Sequence, residues 1–355
     1  MLRPQGNFDR DLRIVLSRPL PAVVALLLGA LLGLTGGAAL AGGGDDNGGG
    51  NQAQGTPATT ATTGKKPKED AFDDQGDRGG EDGPESEGDA KKTPAKDKPR
   101  GIAGGIDEAN KFAEDAGVRI GVAIAPLEGG RVRTAGDVGD FQAWSTMKVP
   151  VIAAFLRSHP QPSAANQQDI SIGIEQSSNE GPRHLYQQMI KEDGVDGANA
   201  QLVKMLQVGG ASITGLPTQI DPSIDSIAFG ESRWTPASAA TFFRALANGC
   251  LPIAADHARL ILQHMHDVSV GRWGFFDALP ADRLFVKGGW GAGSSGWTVS
   301  QIGVLGRGDD GYVVAAMTEP SSEQAGHELL KRVASRIVGA TGAPKAGGQL
   351  PRRCA

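Results

Sequence analysis

Three short clusters in this 355-residue chain hold side chains that could do chemistry together. The first is Ser145-Thr146-Met147-Lys148, inside the stretch Phe141-Gln142-Ala143-Trp144-Ser145-Thr146-Met147-Lys148-Val149-Pro150. A serine hydroxyl is a poor nucleophile until a base accepts its proton. At a helix start, positions i and i+3 share a face, so this spacing predicts the Lys148 ammonium beside the Ser145 hydroxyl. Burial and neighbouring charge lower a lysine pKa from its usual value of about 10.4, which equips the side chain to act as that base. The positive field of a helix N-terminus favours a developing anion at the same place. Alone the pattern is a weak signal, because a serine at a helix start is also an ordinary cap.

The second cluster is Gln176-Ser177-Ser178-Asn179. Its hydroxyl and amide suit proton relay and the holding of a substrate amide, although a polar helix end reads the same way. The third is Phe285-Val286-Lys287-Gly288-Gly289-Trp290-Gly291. A lysine on an exposed edge strand attracts a carboxylate, and the glycines admit a substrate backbone at close range. Each cluster is ambiguous in isolation; their order along one domain is the stronger observation.

The elements that position them follow from periodicity. Residues 106–116 have helical spacing at Ile106, Ala109, Phe112, Ala113 and Ala116, with Asp107 and Glu108 in the first turn. Residues 118–125 read as a β-branched strand, Gly129-Gly130 as a turn and residues 131–135 as the returning strand. Residues 146–267 are mostly helical with polar loops. Strands follow at 284–286, 296–305 and 311–317, joined by short turns that require antiparallel pairing. Residues 322–338 close the domain as an amphipathic helix with Leu329, Leu330, Val333 and Ile337 on one face. The predicted class is α/β (α+β): an antiparallel sheet built from both chain ends and flanked by helices, with an all-helical subdomain inserted. It is not a doubly wound nucleotide fold, since the glycine-rich run 288–293 does not open a helix.

Ser-x-x-Lys at 145–148, Ser-x-Asn at 177–179 and Lys-x-Gly at 287–289, set on this order of helices and strands, resemble the penicillin-recognising serine enzymes: class A β-lactamases and D-Ala-D-Ala peptidases. The resemblance covers residues 106–340 and implies a β-lactamase/transpeptidase-like fold. The Lys-x-Gly-Trp segment, followed by Trp297-Thr298-Val299-Ser300-Gln301-Ile302-Gly303-Val304, is especially similar to actinobacterial serine hydrolases of this kind. The resemblance implies that Ser145 is acylated, Lys148 helps remove its proton and Ser177 passes a proton to the leaving nitrogen. Asn179 then holds the substrate side-chain amide, Lys287 steers its carboxylate, and Gly289 lines the same strand. The N–H groups of Ser145 and Trp290 form the oxyanion hole, where losing one donor costs about 3 kcal/mol. The substrates implied are β-lactams or peptidoglycan stem peptides, with no cofactor and no metal.

The pattern departs from the family at three places. Ser178 stands where Asp is usual, at a position whose role is mainly structural. Gly288 replaces a Thr or Ser, so a substrate-binding hydroxyl is lost. The Glu-x-x-x-Asn loop that activates the deacylating water is absent from residues 218–236, where Asp221, Asp225 and Glu231 are the acidic candidates and Glu231 reads better as an ion-pair partner of Arg233. Slow deacylation or peptidase-like action fits this better than fast β-lactam hydrolysis. A weakened module that binds cell-wall peptide or β-lactam is the alternative.

The remaining chain divides into residues 1–18, a cytoplasmic lead; 19–41, a signal peptide or membrane anchor; 42–105, a disordered linker; 106–342, the hydrolase domain; and 343–355, a tail. Arg3, Arg10, Arg13 and Arg18 precede the apolar run and hold that end inside the cytoplasm. Its length suits an uncleaved anchor that attaches the chain to the membrane, and Ala39-Leu40-Ala41 has the small-x-small form of a cleavage site; both readings stand. Residues 42–100 contain Phe72 as their only large apolar residue and cannot offset their ordering entropy. A net charge of −5 gives no basic patch for nucleic acid. Two cysteines exclude a disulfide scaffold and a multi-cysteine zinc site. In an exported domain Cys250 and Cys354 are expected to pair. His257, His264 and His266 lack carboxylate spacing for a metal, and Trp273, Trp290 and Trp297 read equally as cleft wall or as core.

Overall fold

The computed structural model describes residues 99–215, 230, 232–293, 296–345, 350 and 354. All of these lie in the unit Gly88–Ala355. The lead, the apolar segment at 19–41 and the linker up to residue 98 fall outside the described residues. So do Asp221, Asp225 and Glu231. Among the described residues, no helix is long and apolar enough to cross a membrane.

Helix α1 (Gly101–Asp115) begins ahead of the Ile106 expected from periodicity. Gly104 and Gly105 are buried in it but carry no apolar side chain, so the pattern is silent there. Strands β1 (Arg119–Pro126) and β2 (Arg133–Gly136) pair antiparallel, with Val122 opposite Ala135. The helical block follows as α2 (Lys148–Ser158), α3 (Ala164–Glu175), α4 (Glu180–Val208), α5 (Pro236–Ala247) and α6 (Ala255–His266). Helix α4 is broken at Gly194, where φ is 73°. A short α7 (Phe275–Ala278) leads into β5 (Leu284–Gly293), β6 (Gly296–Leu305) and β7 (Tyr312–Glu319), and α8 (Glu323–Thr341) closes the domain. Ser322 caps α8 by accepting from the Ala325 N–H.

The five-stranded sheet has the order β2-β1-β7-β6-β5, and every pairing is antiparallel. Strands from the two ends of the folded region thus meet at its centre, through β1 and β7. Period-2 alternation divides the core between the two faces. Ile120, Val122, Val314 and Ala316 pack with Phe112 of α1 and with Leu330, Val333 and Ile337 of α8. Ala123, Val313, Ala315, Phe285 and Ile302 pack with Phe155 of α2, Phe243 of α5 and Met265 of α6. The observed architecture is the antiparallel sheet with inserted helical subdomain expected from the sequence.

Strand β5 is longer than the predicted 284–286, running to Gly293. Its glycines score against strand, yet β6 pairs with it throughout, from Leu284↔Leu305 to Gly293↔Gly296. Cys250 and Cys354 form a disulfide across 104 residues of sequence, with their Cα atoms 4.8 Å apart. The tail is further tied by Arg283 donating to the Pro344 carbonyl and Asp310 accepting from the Lys345 N–H, each at 2.8 Å.

Candidate active site

Ser145 is delivered by β3 (Phe141–Gln142), which pairs with β4 (Arg233–Trp234). Arg119 and Arg233 both donate to the carbonyl of Asp140 at 2.9 Å, and the Ala143 N–H donates to the Ser232 carbonyl at 2.7 Å. Arg119 also pairs with Asp137 and Glu319 at 2.7 Å, so the entry to the Ser145 turn is held by charge-assisted bonds from three sides. The turn itself, Trp144–Met147, is a 3-10 helix that continues as α2. Ser145 therefore precedes the α-helix instead of opening it. It is partly exposed, while Thr146, Met147 and Lys148 after it are buried.

Among the described residues, only two non-glycine residues have positive φ: Trp144 at 46° and Ser177 at 55°. Each such conformation costs roughly 1–3 kcal/mol and persists only where surrounding structure enforces it. One of the two immediately precedes Ser145 and the other is Ser177 itself.

Lys148 departs from its expected partner. The spacing predicts its ammonium on the Ser145 hydroxyl, whereas Nζ donates to the Ser177 carbonyl and, at 3.3 Å, to Ser177 Oγ. The left-handed turn at Ser177 presents carbonyl and hydroxyl to the same amine. Burial pushes the Lys148 pKa down to about 7, because the charged form loses its hydration there.

Lys287 departs as well. It lies on β5, the edge strand, but it is only 2% exposed, and Nζ donates to Ser177 Oγ at 2.7 Å and to the Gly288 carbonyl at 3.0 Å. The reason is the pleat: residues 285, 287, 289 and 291 face the helical subdomain, so the side chain runs inward beneath the Ser145 turn. Burial first, and then the Lys148 charge, lower its pKa well below the ordinary lysine value. One hydroxyl thus joins two buried amines.

The glycines of β5 serve a different approach from the one expected. A Cβ on Gly289 would meet the Ala143 carbonyl at 2.8 Å and the Thr146 nitrogen at 2.9 Å. A Cβ on Gly291 would meet the Trp144 ring at 2.6–2.8 Å. They admit the protein's own Ser145 turn, and Ser300, opposite Gly289 on β6, donates to the Gly289 carbonyl at 3.0 Å. The sequence reading missed Trp144; glycines two apart on one strand, hence on one face, were the signal for a close neighbour there. Trp290 lies on this strand opposite Val299, and β5 has no further strand beyond it among the described residues.

Asn179 is exposed at the N-terminus of α4, with no side-chain capping bond. Ser178 Oγ accepts from the Glu180 N–H at 3.2 Å, a local structural role. Trp273 and Trp290 are partly buried with centroids 5.9 Å apart, and Trp297 is also partly buried. His264 pairs with Glu175 at 2.6 Å and His266 with the Leu284 carbonyl at 3.1 Å. Among the described residues no group of His, Cys, Asp or Glu is arranged to hold a metal.

No protein-family model matches the chain, and no curated protein does. Solved structures do. An ancestral class A β-lactamase, reconstructed for Gram-negative bacteria, aligns with a TM-score of 0.52 at 19% identity, over 66% of this chain and 99% of that one. A β-lactamase from Chitinophaga pinensis gives 0.52 at 16%, over 66% and 96%. One from Desulfarculus baarsii gives 0.54 at 16%, over 68% and 98%. At such identities the likeness establishes the fold: it is β-lactamase-like.

Proposed function

We propose that this chain is an exported serine hydrolase that works through an acyl-enzyme at Ser145, on β-lactams or on D-Ala-D-Ala stem peptides of peptidoglycan. The observation that carries this is the joining of Lys148 and Lys287 through Ser177 Oγ. Lys148, with a pKa near 7, is available as a neutral amine at physiological pH. In the reaction Ser145 Oγ attacks the carbonyl carbon and its proton passes to the Lys148 amine. The carbon–nitrogen bond breaks, and Ser177 gives its proton to the departing nitrogen while taking one from Lys148. Backbone N–H groups of Ser145 and Trp290 stabilise the oxyanion. Asn179 binds the substrate amide, and Lys287, hydrogen-bonded to Ser177, steers the substrate carboxylate. Motif pattern supports placement with the actinobacterial serine hydrolases.

Export rests on the N-terminal segment at 19–41, as cleaved signal or as anchor, and is supported by the Cys250–Cys354 disulfide, a bond that persists in oxidising compartments. A second reading, a binding or sensor module with a long-lived adduct, is favoured by Gly288, which offers no hydroxyl to substrate. The two separate on the fate of the adduct. With benzylpenicillin and with diacetyl-Lys-D-Ala-D-Ala, a hydrolase releases penicilloate or D-alanine over many turnovers. A sensor stops at one equivalent. Absence of any covalent or released product with both compounds contradicts the proposal.

A further inference from the structure

Two histidines of α6, His264 and His266, and Ser269 just beyond the helix take no part in the acyl-transfer chemistry, yet each bonds to an element that carries it. His264 Nδ1 lies 2.6 Å from Glu175 Oε1. A carboxylate only accepts, so the ring nitrogen carries the proton and donates. The Glu175 carbonyl accepts from the Ser269 N–H at 2.8 Å and from Ser269 Oγ at 3.1 Å. Glu175 is the last residue of α3 and stands two before Ser177. His266 Nδ1 donates to the Leu284 carbonyl at 3.1 Å, at the start of β5, the strand that carries Lys287. Helix α6 is itself fixed in the core through Ile261, Leu262 and Met265.

The Ser177 turn, residues 176–179 between α3 and α4, has little slack. A Cβ on Gly181 would collide with the Asp169 carbonyl, and one on Gly173 would meet Pro182 at 2.7 Å, so the two helices touch at backbone distance. The Gln176 and Ser178 N–H groups both donate to the Ile172 carbonyl, at 3.2 and 3.0 Å. Ser177, between them, has a φ of 55°, a conformation that a serine keeps only where its surroundings enforce it. Lys148 and Lys287 hold it from the site side. Those bonds change as protons pass through the hydroxyl. The bonds to Glu175 do not, because no proton on the reaction path touches them.

From this geometry we infer that His264 and Ser269 are positioning residues: acting through Glu175, they fix the Ser177 hydroxyl against Lys148 and Lys287, while His266 ties the same helix to β5. This latch deepens the acyl-transfer reading and rests on it. The step it serves is protonation of the leaving group. A lactam nitrogen takes the Ser177 proton as its carbon–nitrogen bond breaks. A nitrophenolate leaves with the electron pair of its carbon–oxygen bond and needs no proton. A displaced Ser177 thus slows the first departure and spares the second.

Benzylpenicillin and the p-nitrophenyl ester of phenylacetylglycine test the latch; they share a phenylacetylamino group and differ in what departs. Acylation of Ser145 in the full chain is followed for both by quenched intact mass. His264→Ala is expected to slow acylation by penicillin about ten- to a hundred-fold, the cost of a misplaced reacting group, and to leave the ester rate near that of the parent. His264→Asn, which keeps an N–H donor near the Nδ1 position, restores the penicillin rate. In a Ser177→Ala background His264→Ala costs nothing more, since both changes remove the same contribution. Ser269→Ala, which removes one bond of the latch, gives the same selective loss in smaller measure and serves where His264→Ala fails to fold. An unchanged penicillin rate in the folded variants, an equal fall for both compounds, or an undiminished cost of His264→Ala without the Ser177 hydroxyl overturns the latch alone. A parent that shows neither an adduct at Ser145 nor turnover with benzylpenicillin overturns the acyl-transfer reading and the latch with it.

Discussion

Lys287 Nζ lies 2.7 Å from Ser177 Oγ, beneath the turn that carries Ser145. The same oxygen receives Lys148 at 3.3 Å. Ser177 is held in a left-handed conformation, so its hydroxyl is placed by strain as well as by partners. Replacing it with alanine is expected to slow acylation by 10²–10⁴-fold, the usual contribution of a positioned proton-transfer group. The acylation rate constant from stopped-flow or quenched mass measurements checks this. An unchanged rate would remove Ser177 from the proton path.

Lys148 should set a pH profile. Its folded-state pKa of about 7 lies below its ordinary value of 10.5 because of burial. The amine that accepts the Ser145 proton is the neutral form, so acylation rises as pH passes through 7 and levels above it. Coupling to Lys287 makes the apparent value a property of the pair. Rates of adduct formation between pH 5.5 and 9 provide the test, and a flat profile would argue against a lysine base.

The same shift has a consequence for stability. Between pH 7 and 10.5 the unfolded chain holds a proton on Lys148 that the folded chain lacks, so this residue makes stability rise with pH across that window. Below pH 7 the folded state carries the full penalty of the buried charge. Lys148→Met should therefore abolish acylation while raising stability at pH 6 by about 1 kcal/mol, roughly 2–4 °C in Tm for a domain of this size. Calorimetry of both proteins at pH 6 and pH 9 measures it; the gain should shrink at the higher pH.

Gly289→Ala should disrupt the contact between β5 and the turn that carries Ser145. Its Cβ would meet backbone atoms of Ala143 and Thr146 at 2.8–2.9 Å, which cannot move aside as a flexible side chain does. Overpacking of this kind costs roughly 1–3 kcal/mol. Urea denaturation should show that loss, together with a fall in acylation. Wild-type values for both would mean that the strand and the turn are not in this contact in solution.

Reducing the Cys250–Cys354 disulfide frees a loop of 104 residues of sequence separation. The loss should be about 2–5 kcal/mol, read as a drop in Tm on adding reductant. A Cys250→Ser/Cys354→Ser protein should match the reduced form and no longer respond to reductant.

Much of the fold was legible because β-branched runs and helical spacing mark both chain ends. Helix α8, with Leu330, Val333 and Ile337 on its buried face, appears where its pattern predicts it. The candidate site was legible as three clusters, and Ser177, Lys148 and Lys287 do meet. Their hydrogen bonds were not legible. Helical spacing speaks of Lys148 and Ser145 on one turn, whereas the direction of a long side chain is decided by what packs around it. The reach of Lys287 depends on strand register and pleat, which Lys-x-Gly alone does not define. Glycines at 289 and 291 read as flexibility until Trp144 and Thr146 are seen against them.

The central claim is that Ser145 is an acylated nucleophile. Its most direct test is the intact mass of the purified protein after incubation with benzylpenicillin, beside Ser145→Ala. A mass increase of one penicillin is expected on the parent, mapped to the peptide containing Ser145, and none on the variant. No adduct at any penicillin concentration and no turnover, or an adduct that forms equally on Ser145→Ala, would contradict it.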